Sequence, residues 1–191
     1  AEGYVAPSAA PIVGGVMVNP DALVHEGLGS VEHCAYIFYD APLGYAPDCG
    51  CVDYTVFHTN RDGNWELYRL SPDSHAAPIN LTNNAATDIA PAIAPDGQVA
   101  FQSDRDGNWE VYVVDGMGLS PVRLTDNPAD DTDSVWSPIC EERRLAFQSN
   151  RDGHWEIYVS DGTPNAEWRL TESNGDSTDP FWSPDGEWVA L

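Results

Sequence analysis

Oxygen-bearing side chains alternate along one short stretch, Asp104, Asp106, Asn108 and Glu110, which is how a calcium loop presents its ligands. The match to an EF-hand is incomplete: the bidentate acid that closes such a loop and its flanking helices are missing, and Glu110 falls on a strand pattern. A structural reading competes and is preferred: Asp106 caps a turn, and Arg105 pairs with an acid of a neighbouring strand or blade. Arg61 and Arg151 would act likewise. Calcium is the one cofactor these residues leave open, and the sequence assigns no ligand set.

Asp88, Asp133 and Asp179 each precede a predicted inner strand. They are read either as a ring of carboxylates around an axis, attracting a cation or a basic peptide by Coulomb forces, or as caps on backbone N–H groups at strand starts. Catalysis finds no support. There is no Gly-x-Ser-x-Gly elbow, His-Glu-x-x-His or Walker loop. The five histidines, His25, His33, His58, His75 and His154, are scattered. Carboxylate pairs recur in every repeat, whereas a residue needed once for catalysis has no reason to be copied. His154 reads as a substitution within a turn.

Cysteine use points to an oxidising compartment. Cys34, Cys49, Cys51 and Cys140 make an even count, the usual mark of disulfides outside the cytosol. Cys49 and Cys51 sit too close for easy mutual bridging. Cys34 and Cys140 therefore pair with one each, or Cys140 is left for a neighbouring molecule. Cys-Gly-Cys is poor zinc spacing.

These residues sit on a chain with 31 acids and 8 bases, every base an Arg, for a net charge of −23. That field repels nucleic acid and anionic lipid, which are bound mainly by cationic side chains, and the absence of Lys excludes a Schiff base. No window approaches the ~18 apolar residues of a membrane helix, so insertion in a membrane is not expected. Ala1-Glu-Gly is a plausible start after signal-peptidase cleavage.

What must position these groups is a tandem repeat. Phe57-His-Thr-Asn-Arg-Asp-Gly-Asn-Trp-Glu-Leu-Tyr68 returns from Phe101 to Tyr112 and from Phe147 to Tyr158. Trp65, Trp109 and Trp155 are spaced by 44 and 46 residues. Asn80-Leu-Thr82, Arg123-Leu-Thr125 and Arg169-Leu-Thr171 follow them. Ile93-Ala-Pro-Asp-Gly97, Trp136-Ser-Pro138 and Trp182-Ser-Pro-Asp-Gly186 come next. Within each unit the pattern is β: Trp109-Glu-Val-Tyr-Val113 alternates, with Glu opposite the apolar face, and Arg-Asp-Gly-Asn supplies a hairpin turn. Four short strands in a repeat of this length predict an all-β propeller of four-stranded antiparallel blades.

Two units are complete, about Asp88 to Thr125 and Asp133 to Thr171. A divergent one runs from about Cys34 to Thr82, with Ala35–Tyr39 as its inner strand, and a fourth runs from Pro180 to Leu191. About three and a half blades thus occupy residues 34–191. Residues 1–33 form a non-repeat arm whose strand-like run, Ile12–Val18, is a candidate closing or donated strand. Trp65, Trp109, Trp155, Trp136 and Trp182 are expected between blades, and Trp168 and Trp188 at exposed contacts.

Phe-x-Ser-Asn-Arg-Asp-Gly-Asn-x-Glu-Ile-Tyr, then Arg-Leu-Thr, then Trp-Ser-Pro-Asp-Gly, resembles the TolB-type propeller repeat over about residues 54 to 191. The sequence departs from it at Ile93-Ala94, which replaces Trp-Ser, and at Ile139-Cys-Glu-Glu142, which replaces the Asp-Gly turn. The resemblance implies a periplasmic or extracellular propeller that offers its faces or channel to protein partners. Similar repeats also form the non-catalytic domain of some serine peptidases. The expected function is a non-enzymatic scaffold that binds proteins or other copies of itself, with assembly into a fibre by strand addition as one form. The alternative is the propeller of a secreted hydrolase or lyase.

Overall fold

The computed structural model describes residues 34–36, 44–46, 52–72, 76–140 and 143–191. Among them every regular element is a strand. The arm, Cys49 and Cys51, and His25, His33 and His75 lie outside these residues.

Strands β1 (Cys34–Tyr36) and β2 (Gly44–Ala46) pair antiparallel with each other. This corrects the expectation that the Ala35 run is an inner strand of the first blade, at least for Ala35 and Tyr36. β1 and β2 lie close in sequence, and pairing near neighbours costs less closure entropy than reaching a distant partner.

The first blade contains β3 (Thr55–Thr59), β4 (Glu66–Leu70) and β5 (Ile79–Asn80), paired in that order. The second is a complete meander: β6 (Asp88–Ile93), β7 (Val99–Ser103), β8 (Glu110–Val114) and β9 (Val122–Arg123). The third repeats it with β10 (Asp131–Trp136), β11 (Leu145–Ser149), β12 (Glu156–Ser160) and β13 (Glu167–Arg169). The fourth holds β14 (Phe181–Trp182) and β15 (Val189–Ala190).

Turn chemistry sets this order. Gly107 and Gly153 adopt φ of 101° and 90°, open to Gly without steric cost, and each closes the hairpin between the second and third strands of its blade. Both inner strands, β6 and β10, slip register midway, between Ile89 and Ala92 and between Thr132 and Val135. The bulge residues there take φ > 0.

The apolar core lies between blades. Val111, Val113 and Leu124 of the second blade cluster with Trp136, Leu145, Phe147 and Tyr158 of the third. Val56, Leu67 and Leu81 of the first meet Phe101, Tyr112 and Val114 of the second. Ala146, Ile157 and Val159 meet Trp182 of the fourth. All five residues of β8 and of β12 are buried, so the glutamate face expected to be polar is enclosed as well.

Backbone contacts tie the same seams. The loop after β8 presses on the first blade: a Cβ on Gly118 would lie 2.8 Å from the Leu81 carbonyl oxygen. In the next blade Asn165 N donates to Leu124 O at 2.8 Å. Blade starts are fixed likewise, because Asp88 N, Asp131 N and Ser177 N donate to Trp65 O, Trp109 O and Trp155 O at 2.9, 2.8 and 2.8 Å.

The tryptophans divide into two classes. Trp136 and Trp182 are buried between blades, as expected, and Trp168 and Trp188 are exposed. Trp65 is 41% exposed, and Trp109 and Trp155 are only half-buried. This corrects their assignment to the core. They stand at the mouth of the hairpin, where the repeat uses their carbonyl oxygens. Trp136→Ala is therefore expected to cost about 3–5 kcal/mol in urea unfolding, and Trp109→Ala well under half as much. Equal losses would contradict the division.

Candidate functional site

The Arg-Asp-Gly-Asn/His-Trp-Glu motif builds one polar network in each of the first three blades. In the second blade Arg105 donates from Nη2 to Asp88 Oδ1 and Oδ2 at 2.9 and 3.0 Å, and from Nε to Ser103 Oγ at 2.8 Å. Its guanidinium lies over Tyr112, 4.4 Å from the ring centre. The third blade repeats this with Arg151, Asp131, Ser149 and Tyr158 at 2.9, 2.9 and 4.3 Å. Asp88 and Asp131 are fully buried, and burial pushes the Asp131 carboxyl up against the pull of Arg151.

The glutamate of the motif ties the outer strand to the hairpin. Glu110 accepts from Asn108 Nδ2 at 2.9 Å, Arg123 Nη2 at 2.6 Å and Asn127 N at 3.2 Å. Glu156 accepts from Arg169 Nη2 at 2.6 Å and Ser173 N at 2.9 Å, and from the Thr171 hydroxyl. His154 Nε2 lies 2.7 Å from Glu156 Oε1 and 3.1 Å from Ser173 O. Both partners are acceptors, so Nε2 carries the proton and donates as the Asn108 amide does. His154 is a turn substitution, as the sequence suggested.

The four residues of the calcium-like stretch are engaged within the protein. Asp104 Oδ1 accepts from Thr87 N at 2.7 Å. Asp106 accepts from the Tyr112 hydroxyl and pairs with Arg123 at 3.5 Å. Asn108 and Glu110 bond to each other. No group of three His, Cys, Asp or Glu side chains among the described residues is placed to hold a metal. Arg105 pairs with an acid of the adjacent strand, as the structural reading had it. Asp106 takes a tyrosine hydroxyl and Arg123 in place of the expected backbone cap, and burial first, then that hydrogen bond, raises the tyrosine pKa. For Tyr158 the same two causes raise it to about 12.

The proposed ring of Asp88, Asp133 and Asp179 divides in the structure. Asp88 shares its place with Asp131 and Ser177, inside the ion-pair network. Asp133 and Asp179 share theirs with Ala90, with φ of 51°, 55° and 52°; Ala90 and Asp133 sit at the bulges of β6 and β10, and Asp179 just before β14. The buried acidic position thus lies two residues before the one that Asp133 and Asp179 occupy. Asp133 and Asp179 are exposed, and with Ala90 they are left-handed residues at matched places of successive blades. Non-glycine residues persist in this region only where their surroundings hold them.

What holds them was missed in the sequence. Gln102 Oε1 accepts from Asp133 N at 3.1 Å, and Gln148 Oε1 accepts from Asp179 N at 3.1 Å. Each bond crosses from one blade to the next. His58 occupies the matching position in the first blade, and its Nδ1 accepts from Ala90 N at 3.4 Å. The signal was present as the second residue of Phe-His-Thr, Phe-Gln-Ser and Phe-Gln-Ser, but a single polar side chain on a strand does not reveal that its partner lies in the next repeat.

With the blades, their seams and the bonds across them in place, comparison with known structures is informative. A putative TolB from Agrobacterium tumefaciens superposes with a TM-score of 0.62 and 22% identity, over 79% of this chain and 58% of that one. TolB from Acinetobacter baumannii gives 0.56 and 21%, over 83% and 36%. The fold is a TolB-type β-propeller. A dipeptidyl peptidase 4 from Porphyromonas gingivalis gives 0.55 and 19%, over 72% of this chain and 20% of that one. A chain of a nidogen/laminin complex gives 0.52 and 14%, over 65% and 47%. The chain spans less than two thirds of each of these structures. No protein-family model and no curated protein matches it.

The network carries a pH signature. The Thr171 hydroxyl first, then the Ser173 amide, His154 and Arg169, hold the Glu156 carboxyl down at about 2 against its burial. Its pKa is lower folded than unfolded, so its stabilisation is complete above about pH 4.5 and is lost as pH falls towards 2. Glu156→Gln should lower the melting temperature at pH 6 and narrow the gap from wild type as pH drops from 4.5 to 2. A gap constant with pH would contradict this assignment.

Proposed function

We infer that this TolB-type propeller is a non-enzymatic extracytoplasmic scaffold that binds proteins, including other copies of itself. The observation that carries the reading is on the outer strands: Ile79, Val122 and Trp168, at matched places in the first three blades, are 51%, 48% and 48% exposed. Together they offer apolar surface on successive blades to another protein or to a second copy of this chain. The division of residues 1–33 as an arm and 34–191 as blades belongs to this reading, with the arm as a closing or donated strand.

Further support is chemical. There is no free cysteine among the described residues, and Cys140 has a partner, which accords with a disulfide to Cys34, Cys49 or Cys51 in an oxidising compartment. No helix among the described residues is long and apolar enough to cross a membrane. The nidogen/laminin complex is a neighbour in which a partner protein is bound. A net charge of −23 favours basic partners and disfavours nucleic acid. It also opposes association between copies until salt screens it.

The similarity to a dipeptidyl peptidase 4 favours a second reading, in which the propeller accompanies a hydrolase domain. A reading frame that continues into Gly-x-Ser-x-Gly would select it.

Light scattering after size exclusion, at rising protein and salt concentration, tests assembly. Wild type is expected to gain mass and the double variant Val122→Asp, Trp168→Asp to stay monomeric. A strictly monomeric wild type at the highest concentration removes self-assembly from the reading.

A further inference from the structure

The three seams use the same hydrogen bond with one difference in chemistry. At the second and third seams the acceptor is an amide, Gln102 or Gln148, which does not titrate in the physiological range. At the first seam it is the imidazole of His58, which does. The acceptor atom is Nδ1, facing the N–H of Ala90 at 3.4 Å, so the ring there is neutral with its proton on Nε2.

We propose that the joint between the first and second blades is proton-sensitive, with His58 as a switch that holds Ala90 when neutral and releases it when charged. In imidazolium both ring nitrogens bear hydrogen, so Nδ1–H would confront the Ala90 N–H, donor against donor. At the other two seams the left-handed residue is Asp133 or Asp179, whereas here it is Ala90, so that position offers no carboxylate to an imidazolium. The edge of Trp65 packs on the ring at 5.2 Å.

The charged groups on the adjoining elements are engaged elsewhere. Glu66 on β4 accepts from Asn64, Asn84 N and Thr82. Asp88 on β6 accepts from Arg105 and Asn84. In the hairpin after β3, Arg61 lies over Tyr68, whose hydroxyl donates to Asp62. On the segment after β7, Asp104 accepts from Thr87 N. His58 keeps part of its ring in water, and partial desolvation of the rest holds its pKa below its ordinary value, in accord with this geometry. The sign follows: the unfolded chain takes up the proton first, so the joint is fully stable above about pH 6.5 and weakens as pH falls through the folded pKa.

Two measurements on the full chain test the switch. Amide exchange at Ala90, corrected for the intrinsic pH dependence of exchange, should lose protection roughly two- to tenfold from pH 7.5 to 5. The amides of Asp133 and Asp179 should stay unchanged. His58→Gln, which installs the acceptor of the other seams, should abolish the loss at Ala90 and lessen the fall in melting temperature over the same range. The remaining histidines and the carboxylates are common to both proteins and cancel. Equal pH dependence in wild type and His58→Gln, or a folded His58 that titrates at or above 6.5 by NMR, would overturn the proposal.

Discussion

Val111 and Val113 on one blade, and Leu145 and Phe147 on the next, face no water because each sheet is the other's cover. A single four-stranded sheet of this sequence would leave one apolar side in solvent, at a cost of ~25 cal/mol for each Å² of apolar surface. The rest of the structure follows from that constraint. Strands are short because a blade needs only enough length to fill its seam. Outer strands of two or three residues limit the edge available for unwanted pairing.

The polar network is the second consequence. Burying both faces of β8 and β12 encloses Glu110 and Glu156, and starting each inner strand beneath its neighbour encloses Asp88 and Asp131. Buried carboxylates are tolerated only with good partners. The motif supplies them within its own hairpin, as an arginine for the aspartate and an asparagine or histidine for the glutamate. The arginine lies flat over the tyrosine of the third strand, so one side chain joins the packed layer to the charged one. Repetition of Arg-Asp-Gly therefore meets a repeated structural need.

The β repeat, its four-strand blades and its TolB-type character were legible because periodicity in sequence maps directly onto periodicity in space. The phase of the blades was less so. Asp88 and Asp133 look alike as acids before a strand, but the first is buried against Arg105 and the second stands two residues further on, at a bulge. A bulge adds residues without changing composition, so it shifts alignment invisibly. Trp65, Trp109 and Trp155 misled for a related reason: they recur for their place at the hairpin mouth, where the backbone carbonyl bonds the next blade, and size alone suggested the core. The bonds from His58, Gln102 and Gln148 join residues about thirty positions apart across separate sheets, which no local pattern encodes.

Face-to-face burial between consecutive blades can be measured by a double-mutant cycle across a seam, with Val111→Ala in the second blade and Phe147→Ala in the third, read by urea unfolding. Packed blades predict that the two losses fail to add, with a coupling of about 0.5–3 kcal/mol. Additive losses, within about 0.3 kcal/mol, would mean that the two sheets do not share a core.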